Sequence, residues 1–162
     1  MNKTWLIIEK IIGVLLAIWG VIALYGVTTT VADMVNSGFA AVRHLSTFQL
    51  ILQNHLKFLL AIASLFGGAL LLFNDKQGWM LSVISTALFV VSFAQSSQAN
   101  ATDSSQQYHE FFKSYSLMSL LFLIVLILLI QKPFRKKYNV TAENWLWIIG
   151  ITVVLIIDKF LV

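Results

Sequence analysis

The chain has 162 residues, a length that suits one domain, but 59% of them are hydrophobic and the mean hydropathy is +0.84, far above the roughly 45–50% apolar content of soluble domains. Only 11% are charged, and these fall mostly between apolar runs, so lipid is the main solvent. The absence of cysteine excludes disulfide staples, thiolate metal sites and cysteine nucleophiles, while the net charge of +4 has no basic face on a soluble element to carry it, so nucleic acid is not an expected partner.

A helix that crosses the hydrocarbon core needs roughly 20 apolar residues. The first such segment, Trp5 to Val27, is too long for a signal-peptide core and ends at no convincing cleavage site, so it reads as a retained span. Gly13, Ala17 and Gly20 share one of its faces, and Glu9 lies about one turn inside Trp5, within reach of Lys10, Lys76 or Lys132. After it, Val31, Met34, Val35, Val42 and Leu45 recur at near-helical spacing among polar residues, which predicts an interfacial segment broken at Gly38.

The second segment is Leu56 to Phe73. Ser46-Thr-Phe-Gln49 forms a capping box ahead of it, so one helix is expected from Ser46 to Phe73, about 41 Å long, with its first turns beyond the membrane or lining a cavity. Gln49, Gln53, Lys57, Ala61, Ser64 and Gly68 follow at steps of three or four and share a face that is polar outside and small within. A tight turn from Asn74 to Gly78 leads to the third segment, Trp79 to Ala94, with Ser82, Ser85, Thr86, Ser92 and Ser96 close to one stripe. Small and hydroxyl residues let helices approach closely in lipid, and such stripes also line hydrophilic pathways.

Gln95 to Gln107 carries no large apolar residue and reads as a solvated, mobile loop. The fourth segment, Tyr115 to Ile130, is apolar all round from Leu120 and is expected to face lipid on much of its surface. Pro133 stops it, and Lys132, Arg135, Lys136 and Lys137 form a basic turn that anionic lipid headgroups would attract. The fifth segment, Trp145 to Val162, has Thr141 as N-cap and is interrupted by Asp158 and Lys159, which would have to snorkel. Trp5, Trp79, Trp145 and Trp147 sit where an aromatic belt belongs.

The fold class is therefore all-α, a polytopic transmembrane bundle of five expected spans, 5–27, 56–73, 79–94, 115–130 and 145–162, with a four-span bundle plus an interfacial helix as the alternative. Five spans place Lys3, Lys10, Lys76 and the four basic residues of the 132–137 turn on one side and Arg43, Lys57, Lys113 and Lys159 on the other, which orients the chain N-in and C-out. The first three spans are expected to pack through the small stripes, with the fourth and fifth more peripheral. The expected location is a bacterial cytoplasmic (inner) membrane.

The three histidines, His44, His55 and His109, fall on the outer side near Asp33, Asp103 and Glu110, but without metal-ligand spacing. No convergent acid, base or metal set emerges, so neither enzyme activity nor a cofactor is expected. The function read from the residues is a non-catalytic accessory subunit or immunity-type factor. It would meet another membrane protein, or a second copy of itself, through an outer cap of residues 28–57 and 95–114, with Gln49, Gln53, His55, Lys57 and His109 as the partner face. The alternative is an oligomeric channel or permeabilising effector lined by the stripes of the second and third spans.

Overall fold

The computed structural model describes residues 3–38, 43–101 and 106–161, with side chains for 3–38, 43–96 and 116–159. Every regular element among them is an α-helix: α1 (Lys3–Asn36), α2 (Thr47–Gln53), α3 (His55–Leu72), α4 (Lys76–Ala101), α5 (Gln106–Ile130), α6 (Lys132–Lys137) and α7 (Ala142–Leu161). Three stretches are long and apolar enough to cross a membrane: α1, α3 and the Lys76–Ser96 part of α4. The Ser116–Ile130 part of α5 is apolar but shorter. Ile7, Ile11, Ile18, Val21 and Ile22 leave α1 with a broad exposed apolar face, as a bilayer requires.

Several boundaries differ from the sequence expectation. α1 runs unbroken for 34 residues, about 51 Å at 1.5 Å per residue, and absorbs Val31 to Val35. Within its β-branched run the Thr28 and Thr30 hydroxyls are satisfied by donating back to the carbonyls of Leu24 and Gly26 at 2.9 and 2.8 Å. The break falls at the predicted Gly38, whose φ of 75° suits a residue without Cβ.

The Ser46 capping box forms as expected: Gln49 N–H donates to Ser46 Oγ at 3.2 Å, and Ser46 N–H to Gln49 Oε1 at 2.8 Å. The single helix expected from there to Phe73 is instead two. Asn54, buried at the junction with φ −105° and ψ 12°, turns its amide to the Leu50 carbonyl at 2.9 Å, and this local bond competes with the regular ladder. The predicted loop at 95–107 also shrinks, since α4 continues to Ala101 and α5 begins at Gln106. Gln and Ala are good helix formers, and Ser96 Oγ donates to the Ser92 carbonyl at 3.0 Å, so a helix already nucleated in the apolar run extends past it. Residues 102–105 lie outside the described ones.

At the opposite end two asparagines close helices in the same way. Asn74 (φ 61°) follows α3, where the Asp75 and Asn74 amides reach the carbonyls of Leu70 and Leu71 at 3.0 and 3.1 Å. Asn139 (φ 46°) follows α6, with the Val140 amide on the Arg135 carbonyl at 3.0 Å. Both are left-handed caps that satisfy the last carbonyls. Asp75 then accepts Gln77 N–H at 2.7 Å and caps α4 at once, so the turn predicted at Asn74 to Gly78 spans only three residues.

α4 is central: it packs along α3 and α5 and, over a shorter length, α7, while α1 packs on α3. The expected grouping of the first three spans against two peripheral ones is thus corrected, since α5 lies along α4 as fully as α3 does. Phe122, Val125 and Leu129 of α5 are buried there, while Leu120, Leu123, Ile124 and Ile127 remain exposed. Trp19 ties α1 to this core through edge contacts with Phe89 and Phe122 at 6.3 and 5.5 Å between ring centres.

Candidate functional site

Polar side chains gather at both ends of the bundle, and the two gatherings differ in kind. At the α6 end they are closed. Glu9 is fully buried, and its carboxylate accepts from Lys137 Nζ and from the Tyr138 hydroxyl. Lys137 also donates to Asn74 Oδ1 at 2.6 Å, and Lys10 reaches the same oxygen at 3.2 Å and the Leu72 carbonyl. Burial, and then the bond to Glu9, push the Tyr138 phenol above its ordinary range, so it stays a donor. The sequence offered Lys10, Lys76 or Lys132 as the partner of Glu9. The helical turn of α6 instead brings Lys137 beneath α1, and Lys76 points to the Asn139 carbonyl at 3.4 Å.

The basic turn is accordingly divided. Lys132 and Lys136 are exposed, Arg135 is half-buried and Lys137 faces inward. Trp79, expected in the aromatic belt, is fully buried, with its Nε1 donating to the Leu129 carbonyl at 2.9 Å and Trp145 edge-on at 5.8 Å. Four elements converge at this level, and a large ring with one donor fills the space between them.

Between the ends, the small residues of α1 and α3 meet. A Cβ at Gly68 would lie 2.5 Å from Ala17 N and Gly13 O, and one at Gly20 would lie 2.5 Å from Leu65 N. Ser64 is fully buried and donates to the Leu16 carbonyl at 2.9 Å. On α4, Ser82 and Ser85 are fully buried, Ser85 Oγ donating to the Ser82 carbonyl at 3.2 Å. These are seams where backbones approach within reach of one another.

The other end is open. A cavity of about 540 Å³ lies between α1, α3, α4 and α7. Its polar lining includes Gln53, Asn54, Lys57, Ser92 and Lys159, with Thr30 and Ser96, and its apolar lining includes Val27, Leu60, Phe89 and Phe93. Lys57 Nζ donates to Asn54 Oδ1 at 2.9 Å, and Lys159 Nζ to Ser92 Oγ at 2.7 Å. Beside it, His55 Nε2 and Asp158 Oδ2 are 2.7 Å apart and tie the start of α3 to the end of α7. A second cavity of about 200 Å³ shares Leu56, Leu60, Ser92 and Lys159 with the first and continues between α3, α4 and α7.

Of the expected partner face, the cavity therefore brings together Gln53 and Lys57. His55 stands next to it on Asp158, and Gln49 is exposed and engaged in its capping box. His109 lies where α5 has no described side chains. Ser92, placed with the packing stripe, belongs instead to the cavity. Sequence reasoning missed Asn54 and Lys159 as cavity residues. The signal for Lys159 was a charged pair interrupting an apolar helix, which has to find polar company somewhere. Among the described residues no three His, Asp or Glu side chains gather as a metal would need. Comparison with protein-family models, with curated proteins and with solved structures finds no match.

Proposed function

We propose that the chain is a small non-catalytic integral membrane protein, an accessory subunit or immunity-type factor of a bacterial cytoplasmic membrane. It crosses the bilayer five times, N-in and C-out, with α1, α3, α4, α5 and α7 as spans, and recognises another membrane protein or a second copy of itself at the end opposite α6. One observation supports this reading above the rest: Gln53 and Lys57, from the segment that the sequence places outside the membrane, meet Ser92 and Lys159 around one open cavity. That lining offers amide, hydroxyl and ammonium groups, which suit recognition. The imidazole and carboxylate that stand nearby, His55 and Asp158, are bound to each other at 2.7 Å and are not among the described residues that line the cavity.

The alternative, an oligomeric channel lined by the stripes of the second and third spans, draws less support. A lumen-facing hydroxyl should be open to water, whereas Ser64, Ser82 and Ser85 are fully buried within one protomer. The test is co-purification of the tagged full-length chain from its native membrane after mild cross-linking. Combined substitution of Gln49, Gln53, His55, Lys57 and His109 by alanine is expected to release a partner that the unaltered chain retains. Undiminished retention of that partner would sink the proposal.

A further inference from the structure

The two cavities at the open end adjoin along Leu56, Leu60, Ser92 and Lys159, and the chemistry of their walls differs. In the wider cavity Lys57 and Lys159 present two ammonium groups, with the amides of Gln53 and Asn54 beside them. Among the described residues, no aspartate or glutamate lines either cavity. The nearest acid in sequence, Asp158, is turned away and held by His55 at 2.7 Å. Two cations thus face the same space, and their partners among the described residues are neutral oxygens, Asn54 Oδ1 for one and Ser92 Oγ for the other.

The narrower cavity begins at that Lys159–Ser92 pair and is otherwise walled by aliphatic side chains such as Leu59, Ala63, Ile84, Leu88, Ile151 and Leu155. A group with phosphate-like charge fits the first cavity and a hydrocarbon chain fits the second, and the junction between them is the Lys159 ammonium. Basic groups between membrane helices attract anionic lipid headgroups, and lysine binds phosphate as a point charge without demanding a fixed planar geometry.

We infer that these adjoining cavities are a binding site for one anionic phospholipid, its phosphate between Lys57 and Lys159 and one acyl chain in the aliphatic cavity. A soluble anion would leave the aliphatic cavity unfilled. A zwitterionic lipid would bring a quaternary ammonium against two lysines, with no carboxylate among the described lining residues to receive it. The inference rests on the membrane reading of the chain and not on its accessory role, so partner retention and lipid retention can fail separately.

The experiment is native mass spectrometry and thermal denaturation of the purified full-length chain, with phosphatidylglycerol, phosphatidylcholine of the same acyl chains, oleate or inorganic phosphate added. Phosphatidylglycerol is expected to remain bound and raise the melting temperature, and the other three to do neither at equal concentration. The double substitution Lys57→Gln/Lys159→Gln should weaken phosphatidylglycerol roughly tenfold or more, and Lys57→Arg/Lys159→Arg should restore it. Ala63→Phe should weaken it while leaving both lysines in place. Equal binding of phosphatidylcholine, or full retention of phosphatidylglycerol by a folded Lys57→Gln/Lys159→Gln chain, overturns the inference. Oleate binding as well as phosphatidylglycerol overturns the phospholipid assignment, and inorganic phosphate doing so reduces the site to one for a simple anion.

Discussion

Glu9 lies fully buried near the start of α1, where a carboxylate without company would be very costly to desolvate. Lys137 and Tyr138 supply the charge and the hydrogen bonds that make it tolerable, and in doing so pin α6 and the turn after it to α1. Removing one member of such a pair costs more than the pair itself contributes, because the other member is left buried and unpaired. Glu9→Gln is therefore expected to destabilise the chain by about 3 kcal/mol, the lower end of the usual range, since the Lys137 side chain keeps 19% of its exposure. Glu9→Gln combined with Lys137→Met should recover part of that loss. Denaturant titration in mixed micelles measures both, and a loss below about 1 kcal/mol for Glu9→Gln would show that the pair is screened like a surface one. An acid inside an apolar run pointed to a pairing, but four basic residues within six positions gave no means of choosing Lys137. That choice follows from the handedness of a six-residue helix.

The contact between α1 and α3 depends on residues defined by what they lack. With Gly68 Cβ positions 2.5 Å from the α1 backbone, any side chain there must push the helices apart. Gly68→Leu is expected to cost about 2 kcal/mol or more through overpacking. Gly26 of α1, where an added Cβ meets nothing within 4 Å, is the control: Gly26→Ala should be neutral or stabilise by up to about 1 kcal/mol. Thermal unfolding of the two variants in one detergent decides the matter, and equal effects would mean that the seam is not a packing constraint. These stripes were legible because a period of 3.6 puts Gly13, Ala17 and Gly20 on one face. The split between α2 and α3 was not, because Asn54 can either continue a helix or bond its own preceding turn, and burial at the cavity favours the second.

For the whole molecule, the proposed five spans predict that a reporter fused after Val162 lies across the membrane from one inserted beside the exposed Lys136. Both reporters on the same side would leave α7 as an interfacial or re-entrant helix, and the cavity that Lys159 helps to line would then need redrawing. α7 is the element on which this turns, since Glu143, Asp158 and Lys159 accompany its apolar run. Its end is nevertheless anchored to the bundle by Asp158 on His55 and Lys159 on Ser92.

The sequence by itself determined the helical class, the presence of helices long and apolar enough to cross a membrane, the caps at Ser46 and Thr141, the break at Gly38 and the small faces along which helices meet. Each of these follows from composition or from spacing within about two turns, where chain geometry alone brings side chains together. Tertiary structure alone decided that Glu9 pairs with Lys137, that α4 rather than α1 is central, and that Lys57 and Lys159 face one cavity. The residues of those contacts lie 128 positions apart in the first case and about 100 in the last. Lipid supplies no hydrophobic drive to select among helix neighbours, so the selection falls to close packing and polar pairing, which exist only once the helices are side by side.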